Sequence, residues 1–363
     1  MDQPTAKKER ASNFELLKIV SMFFVVSLHV CTQSGIMDAP SSMVDDIVFT
    51  VLSEFGRTAC TVFVMVSAWF LCDAGFKFKR ILRVWLTTLI YVLIIYFFVY
   101  HSYEMPWYDF FPVGGGILWF VSAYICMLLV SPVLNAVLHY CPQKYLGTAV
   151  LLTGIPLMVY ATVSLTDGML GNNVVWFSWL YLFVGYVKKY PVKLFENRLY
   201  MLILLAVLCF IRLFPRVEVR WSGRIPFMEG MLPYLDWWRD VLWTLPSFLT
   251  AAAVFFILAK TEMKSNKVIN FFGSHTLAIY ILHQMPFFYG YLWNGIYHCQ
   301  AKAGTSMEIA YLLYVIISIF IRATLIDLIF EMFLFKPVFS RLKPKLQTID
   351  GLLNFNDKDC EQT

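Results

Sequence analysis

An all-α polytopic membrane bundle of about ten transmembrane helices, with both termini cytoplasmic, is the fold this sequence predicts. Three observations predict it. Of 363 residues, 59% are hydrophobic and 18% aromatic, and only 15% are charged, against roughly a quarter in ordinary soluble domains. Apolar runs near the bilayer-crossing length of about 17–25 residues recur along the chain. Basic residues cluster on every second connection between those runs, as the positive-inside rule requires.

The expected spans are 13–31, 47–72, 82–100, 115–134, 146–165, 174–188, 199–214, 240–260, 269–291 and 309–335, of which the sixth and seventh are short. The clusters Lys7/Lys8/Arg10, Lys77/Lys79/Arg80/Arg83, Lys144, Lys188/Lys189/Lys193/Arg198, Lys260/Lys264/Lys267 and Lys336/Arg341/Lys343/Lys345 then share the inner side. Connections 32–46, 101–114 and 166–173 hold no Lys or Arg. The first run carries Lys18 and no small-x-small cleavage site follows it, so it reads as an uncleaved signal anchor. The whole chain reads as one domain, 1–363, with the bundle over about 13–335 and a short polar tail, 337–363.

Composition also excludes functions. Basic residues scattered between apolar runs do not make a nucleic-acid surface. The eight cysteines lie mostly in or beside apolar runs, without C-x-x-C or Cys/His spacing, so neither a bound metal nor a disulfide framework is expected. No internal repeat is visible.

The elements that carry chemistry follow in chain order. In the first run, Lys18 and His29 are eleven residues apart. At about 100° per residue they share one face to within about 20°, separated by about 16 Å along the axis. Ionisable residues on one stripe of a membrane helix normally face the bundle interior or a wet cavity. The plain alternative is a snorkelling lysine and a capped interfacial histidine. In the second run, Glu54 and Arg57 share a face. They either neutralise one another or serve a site level with His29. Ser67 and Ala68 in the same run permit close helix contact.

Arg80 and Arg83 follow at i, i+3 in the next cytoplasmic turn. Two guanidinium forks projecting from one helix start suit phosphates, while positive-inside anchoring is the commoner meaning of such a pair. Trp119 opens the fourth span. Arg212, Arg216, Arg220 and Arg224 recur every four residues at an outer connection, among Trp221, Phe227, Tyr234, Trp237 and Trp238. They form either an aromatic belt with snorkelling arginines or a platform for an anionic or lipid-linked saccharide. His275 and His283 lie in the ninth span. The tenth holds Arg322, Asp327 and Glu331, with Arg322 expected to help neutralise the two carboxylates.

These residues resemble a known family. Lys18-x10-His29 is similar to the basic-residue-x10-His motif of the integral-membrane acyltransferase family three, and Arg80-x-x-Arg83 to its second motif. Arg57 followed by the run from Val62 to Leu71 resembles the family segment in which an arginine precedes Phe-Phe-x-x-Ser-Gly. Leu118-Trp119-Phe120 and Tyr280-Ile281-Leu282-His283 resemble two later segments. The matches keep family order to about residue 335. Ser67-Ala68 replaces the usual Ser-Gly. Lysine replaces the more frequent arginine at position 18, which keeps the charge and loses the fork. The soluble domain that some relatives carry after the membrane part is not present in this sequence.

The resemblance implies an O-acyltransferase of a bacterial cytoplasmic membrane, moving an acetyl or related group from acyl-CoA to a hydroxyl of a cell-surface glycan or its lipid-linked precursor. It implies no permanently bound cofactor; acetyl-CoA or another acyl-CoA is the donor. The expected partners are that donor, the saccharide acceptor and membrane lipids, with no nucleic acid. Arg80 and Arg83 are expected to hold coenzyme A, and His29 to act as general base or acyl relay. Lys18 is expected to position the donor or ease charge along its path. Glu54, Arg57, Trp119 and His283 are expected at the substrate. The competing reading is a transporter or flippase of lipid-linked saccharides. A sensor or scaffold comes third.

Overall fold

The computed structural model describes residues 10–99, 106–113, 118–166 and 171–353. Among these residues every regular element is helical. Lys7 and Lys8 of the expected basic N-terminus lie outside the described residues.

The helices are α1 (Ser12–Gln33), α2 (Met43–Glu54), α3 (Gly56–Leu71), α4 (Phe78–Ile94), α5 (Trp119–Tyr140), α6 (Gln143–Ser164), α7 (Asn173–Lys189), α8 (Lys193–Glu196), α9 (Arg198–Trp221), α10 (Pro226–Glu229), α11 (Leu232–Asp240), α12 (Leu245–Ala259), α13 (Lys267–Ser274), α14 (Thr276–His283), α15 (Glu308–Phe330) and α16 (Lys336–Leu353). Every expected span overlies one of them or a broken pair. Among the described residues, length and apolar composition qualify six helices for a membrane crossing, or seven if the bent pair Pro226–Asp240 and Leu245–Ala259 is one span. That is fewer than the ten expected, for identifiable reasons. Helix α7 has only 17 residues and α12 only 15. The ninth segment breaks at His275 into α13 and α14, of eight residues each. Helix α9 runs past its expected end at 214, to Trp221.

Asparagine caps start several helices. Asn172, Asn197 and Asn266 accept from the first free backbone N–H groups of α7, α9 and α13, and Ser42 does the same for α2. Such caps satisfy donors that a helix start otherwise leaves unpaired.

Helix α1 is the axis of the assembly, packing on α2, α3, α12, α13, α14 and α15. Its start is tied down by side chains. Ser12 Oγ donates to Asn270 Oδ1 at 2.8 Å and accepts from Asn266 N–H. Asn13 Nδ2 donates to the last carbonyls of α12, Leu258 and Ala259. Glycine sets two approaches. A Cβ on Gly56 would lie 2.4 Å from Leu28 Cβ, so α3 begins directly against the turn holding His29. A Cβ on Gly273 would meet Glu15 Oε2 at 2.3 Å.

The contacts define two ends. At the basic end, Lys188 pairs with Asp73, Lys260 with Glu196 at 3.6 Å, and Lys189 donates to the Leu138 carbonyl at 2.9 Å. At the far end, the buried Glu308 carboxylate accepts from the backbone N–H groups of Ser41 and Gly304.

Candidate active site

Two imidazoles meet in the far half of the bundle. His29 Nδ1 lies 2.9 Å from His283 Nε2, and both side chains are buried. His283 closes α14, and its Nδ1 reaches the Ile279 carbonyl, one turn back, at 2.6 Å. A carbonyl only accepts, so His283 Nδ1 carries the proton. In the neutral ring Nε2 is then the acceptor, and His29 Nδ1 donates to it. This network assigns the lone pair of His29 to Nε2. An imidazole held in one tautomer, with no hydrogen-bond partner at Nε2 among the described residues, is the arrangement of an oriented general base. Around the pair, the fully buried Trp293 ring lies 6.4 Å from His283 and donates from Nε1 to Gln33 Oε1 at 3.2 Å. Tyr280 stands edge-on to His283 at 6.1 Å.

A slot leads along α1 toward this pair. It encloses about 220 Å3, and its wall includes Lys18, Met22, Val25, Phe63, Tyr124 and Tyr280. Residues 18, 22 and 25 are the helical stripe that continues to 29. The face that Lys18 shares with His29 therefore lines the slot from Lys18 to Val25, and His29 lies one turn beyond it. Lys18 sits in its wall toward the basic end, paired with Glu15 at 2.6 Å. Glu15 also lies 3.5 Å from Arg10.

Glu54 and Arg57 do not pair with each other. The chain breaks at Phe55 between α2 and α3, so the single helical face assumed for them does not exist. Glu54 Oε1 accepts from the fully buried Arg212 Nε at 2.8 Å, and its Oε2 lies 3.2 Å from Arg216 Nε. Arg57 instead places its guanidinium 5.1 Å from the centre of the Trp119 ring. It has no carboxylate within ion-pair distance among the described residues. Trp119 in turn packs edge-on to Phe120, whose ring lies 5.4 Å from Tyr280. Arg57, Trp119 and His283 are thus linked through aromatic contacts, and Glu54 belongs to a separate far-end cluster.

Arg80 and Arg83 diverge. Arg80 Nη1 donates to the Gly75 carbonyl at 3.1 Å. Arg83 pairs with Glu331, just beyond α15. They do not form the convergent pair of forks that their i, i+3 spacing suggests, because Glu331 captures one of them. A larger cavity opens at the basic end beside the α3–α4 turn. It encloses about 660 Å3 and is lined in part by Asp73, Asn135, His139, Lys188 and Lys189. Sequence reasoning gave these lysines only an anchoring role.

The charges of the tenth segment also find other partners than expected. Asp327 accepts from Tyr91 at 2.6 Å and pairs with His275 at 2.5 Å. Arg322 lies 5.5 Å from the Tyr297 ring centre and neutralises neither carboxylate. The outer arginines split in the same way. Arg212, Arg216 and Arg220 share α9, whereas Arg224 follows a turn in which Gly223 has φ +58°. Trp237 and Trp238 donate their indole N–H groups to the Ala161 and Thr162 carbonyls, so they fasten α11 to α6.

A family model described as "Acyltransferase domain" matches residues 12–330. No curated protein and no solved structure matches the chain.

Proposed function

The chain belongs to the acyltransferase domain family matched over residues 12–330, and from that premise we propose a donor, an acceptor and a route for the acyl group. It is a multi-pass membrane acyltransferase that moves groups other than amino-acyl groups. The proposed donor is an acyl-CoA, with acetyl-CoA the first choice, and the proposed acceptor is a hydroxyl of a cell-surface glycan or its lipid-linked precursor. The proposed setting is a bacterial cytoplasmic membrane, with the basic end and both termini inside.

The observation that carries this reading is the Lys18–Met22–Val25 stripe, which lines a narrow slot ending one turn short of the His29–His283 pair. In this reading the nucleotide of coenzyme A stays at the basic end, near Arg80, Lys188 and Lys189. Its pantetheine arm lies in the slot and brings the thioester to His29. Arg83 is given a supporting role, because its charge is already met by Glu331.

The chemistry balances without an added reagent. His29 Nε2 takes the proton of the acceptor hydroxyl as its oxygen attacks the thioester carbonyl. The C–S bond breaks, and the coenzyme A thiolate takes the proton from His29. His283 holds the His29 ring and supports the imidazolium while it exists. The uncompensated Arg57 guanidinium, ordered on Trp119, is assigned to the negative charge that develops on the carbonyl oxygen.

The test is transfer of radiolabelled acetyl from acetyl-CoA into membrane glycans by cells expressing the wild type, His29→Ala or Arg80→Ala at matched protein levels. Label that requires the wild type and is lost in His29→Ala supports the reading. Label that persists in His29→Ala overturns the assigned base. Failure of the purified protein to bind acetyl-CoA and succinyl-CoA overturns the donor.

A further inference from the structure

The far end of the bundle holds a second polar cavity of about 320 Å3, whose wall includes Asp46, Ser53, Glu54, Arg216, Arg220 and Arg239. We propose that this cavity binds the acceptor, and that it selects a saccharide bearing an oxyanion, either a carboxylate or a phosphate. The acceptor role rests on the acyl-transfer reading above; the oxyanion preference rests on the cavity alone.

The argument begins with hydrogen-bond satisfaction. The cavity's carboxylates are already engaged. Glu54 is met by Arg212 and Arg216. Asp46 lies 3.1 Å from Arg220 Nε and accepts from Trp221 Nε1 at 2.7 Å. Arg239 is held by Asp240 and Asp236, so the spare donors belong to Arg216 and Arg220. Arg216 gives Nη1 to Asp236 at 2.6 Å and holds its Nε 3.2 Å from Glu54, while its Nη2 is buried without a partner among the described residues. Arg220 makes its ion pair but no hydrogen bond among the described residues. Buried N–H donors are satisfied in nearly all native structures, so a cavity with spare guanidinium donors calls for an oxygen-rich ligand. Guanidinium forks fit planar carboxylates and phosphates in a way that neutral hydroxyls do not match.

Position supplies the second argument. Ser53 and Glu54 end α2, and Gly56 begins α3 against Leu28, the neighbour of His29. A saccharide anchored among Arg216, Arg220 and Arg239 therefore lies on the opposite side of the histidine pair from the slot. Donor and acceptor meet His29 from opposite ends, and neither has to leave before the other arrives.

The experiment measures binding to the full-length protein in nanodiscs without acyl-CoA, followed by indole fluorescence, since Trp221 touches the cavity through Asp46. The probes are glucuronate, glucose 6-phosphate and glucose. The expected result is that at least one anionic sugar binds about tenfold or more tighter than glucose; which one does so identifies the oxyanion. Arg220→Gln and Arg239→Gln, both at half-exposed or exposed side chains, should erase that preference while the thermal midpoint stays close to wild type. Equal binding of all three sugars overturns the proposal, as does a preference unchanged in both folded variants. A preserved preference with no acetyl transfer under any condition would instead sink the acyl-transfer reading and leave the oxyanion site standing.

Discussion

His29 Nδ1 and His283 Nε2 are 2.9 Å apart, and the other nitrogen of His283 is already given to the Ile279 carbonyl. One backbone carbonyl thus fixes the proton on two rings in series. The tautomer of the proposed base is set by an oxygen it never touches.

Removing the base should therefore be costlier than removing its support. His29→Ala is expected to lower acetyl transfer by about 10²–10⁴-fold, the usual contribution of a positioned base. His283→Gln keeps an acceptor for His29 Nδ1 and should lose less in kcat, with the KM for acetyl-CoA nearly unchanged. Steady-state kinetics on both variants check this ordering. An acetylated His29 trapped by mass spectrometry in the absence of acceptor would replace the base by a covalent relay.

The same assignment fixes the sign of the pH response. The base works only when neutral, so each proton gained as pH falls removes activity. The profile of kcat/KM should show an acid limb of unit slope, and that limb should be altered in His283→Gln. The absence of any acid limb down to the lowest pH at which the protein stays folded would show that His29 protonation does not limit the reaction.

The Tyr91–Asp327–His275 network joins α4, α13–α14 and α15. Tyr91→Phe removes one hydrogen bond to Asp327 and should destabilise the fold by about 1.5–3 kcal/mol. Thermal unfolding in detergent reads this directly. The His29 reaction should persist in the folded fraction, because neither Tyr91 nor Asp327 lines the slot.

Gly56 tests the coupling of packing to the site. Gly56→Ala places a methyl 2.4 Å from Leu28 Cβ and 3.0 Å from the Phe24 carbonyl oxygen. Overpacking of this kind costs about 1–3 kcal/mol. The strain falls on the turn of α1 that carries His29, so activity should fall more steeply than stability. Comparing the two losses in one preparation distinguishes displacement of the site from simple unfolding.

What was readable in the sequence was what depends on period alone. Lys18 and His29 lie on one stripe whatever surrounds them, and the part of it formed by Lys18, Met22 and Val25 lines the slot. The helices themselves followed from apolar runs. Partnerships across the bundle were not readable. Glu54 seemed to belong with Arg57 at short range, but Phe55 interrupts the helix between them, and Arg212, 158 residues later, takes the carboxylate. Arg83 looked like a partner for Arg80 until Glu331 claimed it. Arg322 looked like the natural counter-charge for Asp327, yet Asp327 pairs with His275 and Tyr91. In each case the sequence shows a charge but not which remote element will be packed beside it. Trp293, which walls the histidine pair, carries no local signal at all. Family membership settled a further question that hydropathy left open, by favouring acyl transfer over transport.

The tethers of α1 also have a bearing on biosynthesis. Ser12 bonds to Asn270, Asn13 to Leu258 and His29 to His283, across gaps of 258, 245 and 254 residues. Helix α1 leaves the ribosome long before the partners it waits for. Until α12–α14 enter the bilayer, His29 stands in lipid without His283, a costly condition for an ionisable side chain. Nascent chains halted before residue 245 should therefore hold α1 only loosely, and they should be marked for the membrane's quality-control proteases far more readily than chains halted after residue 283.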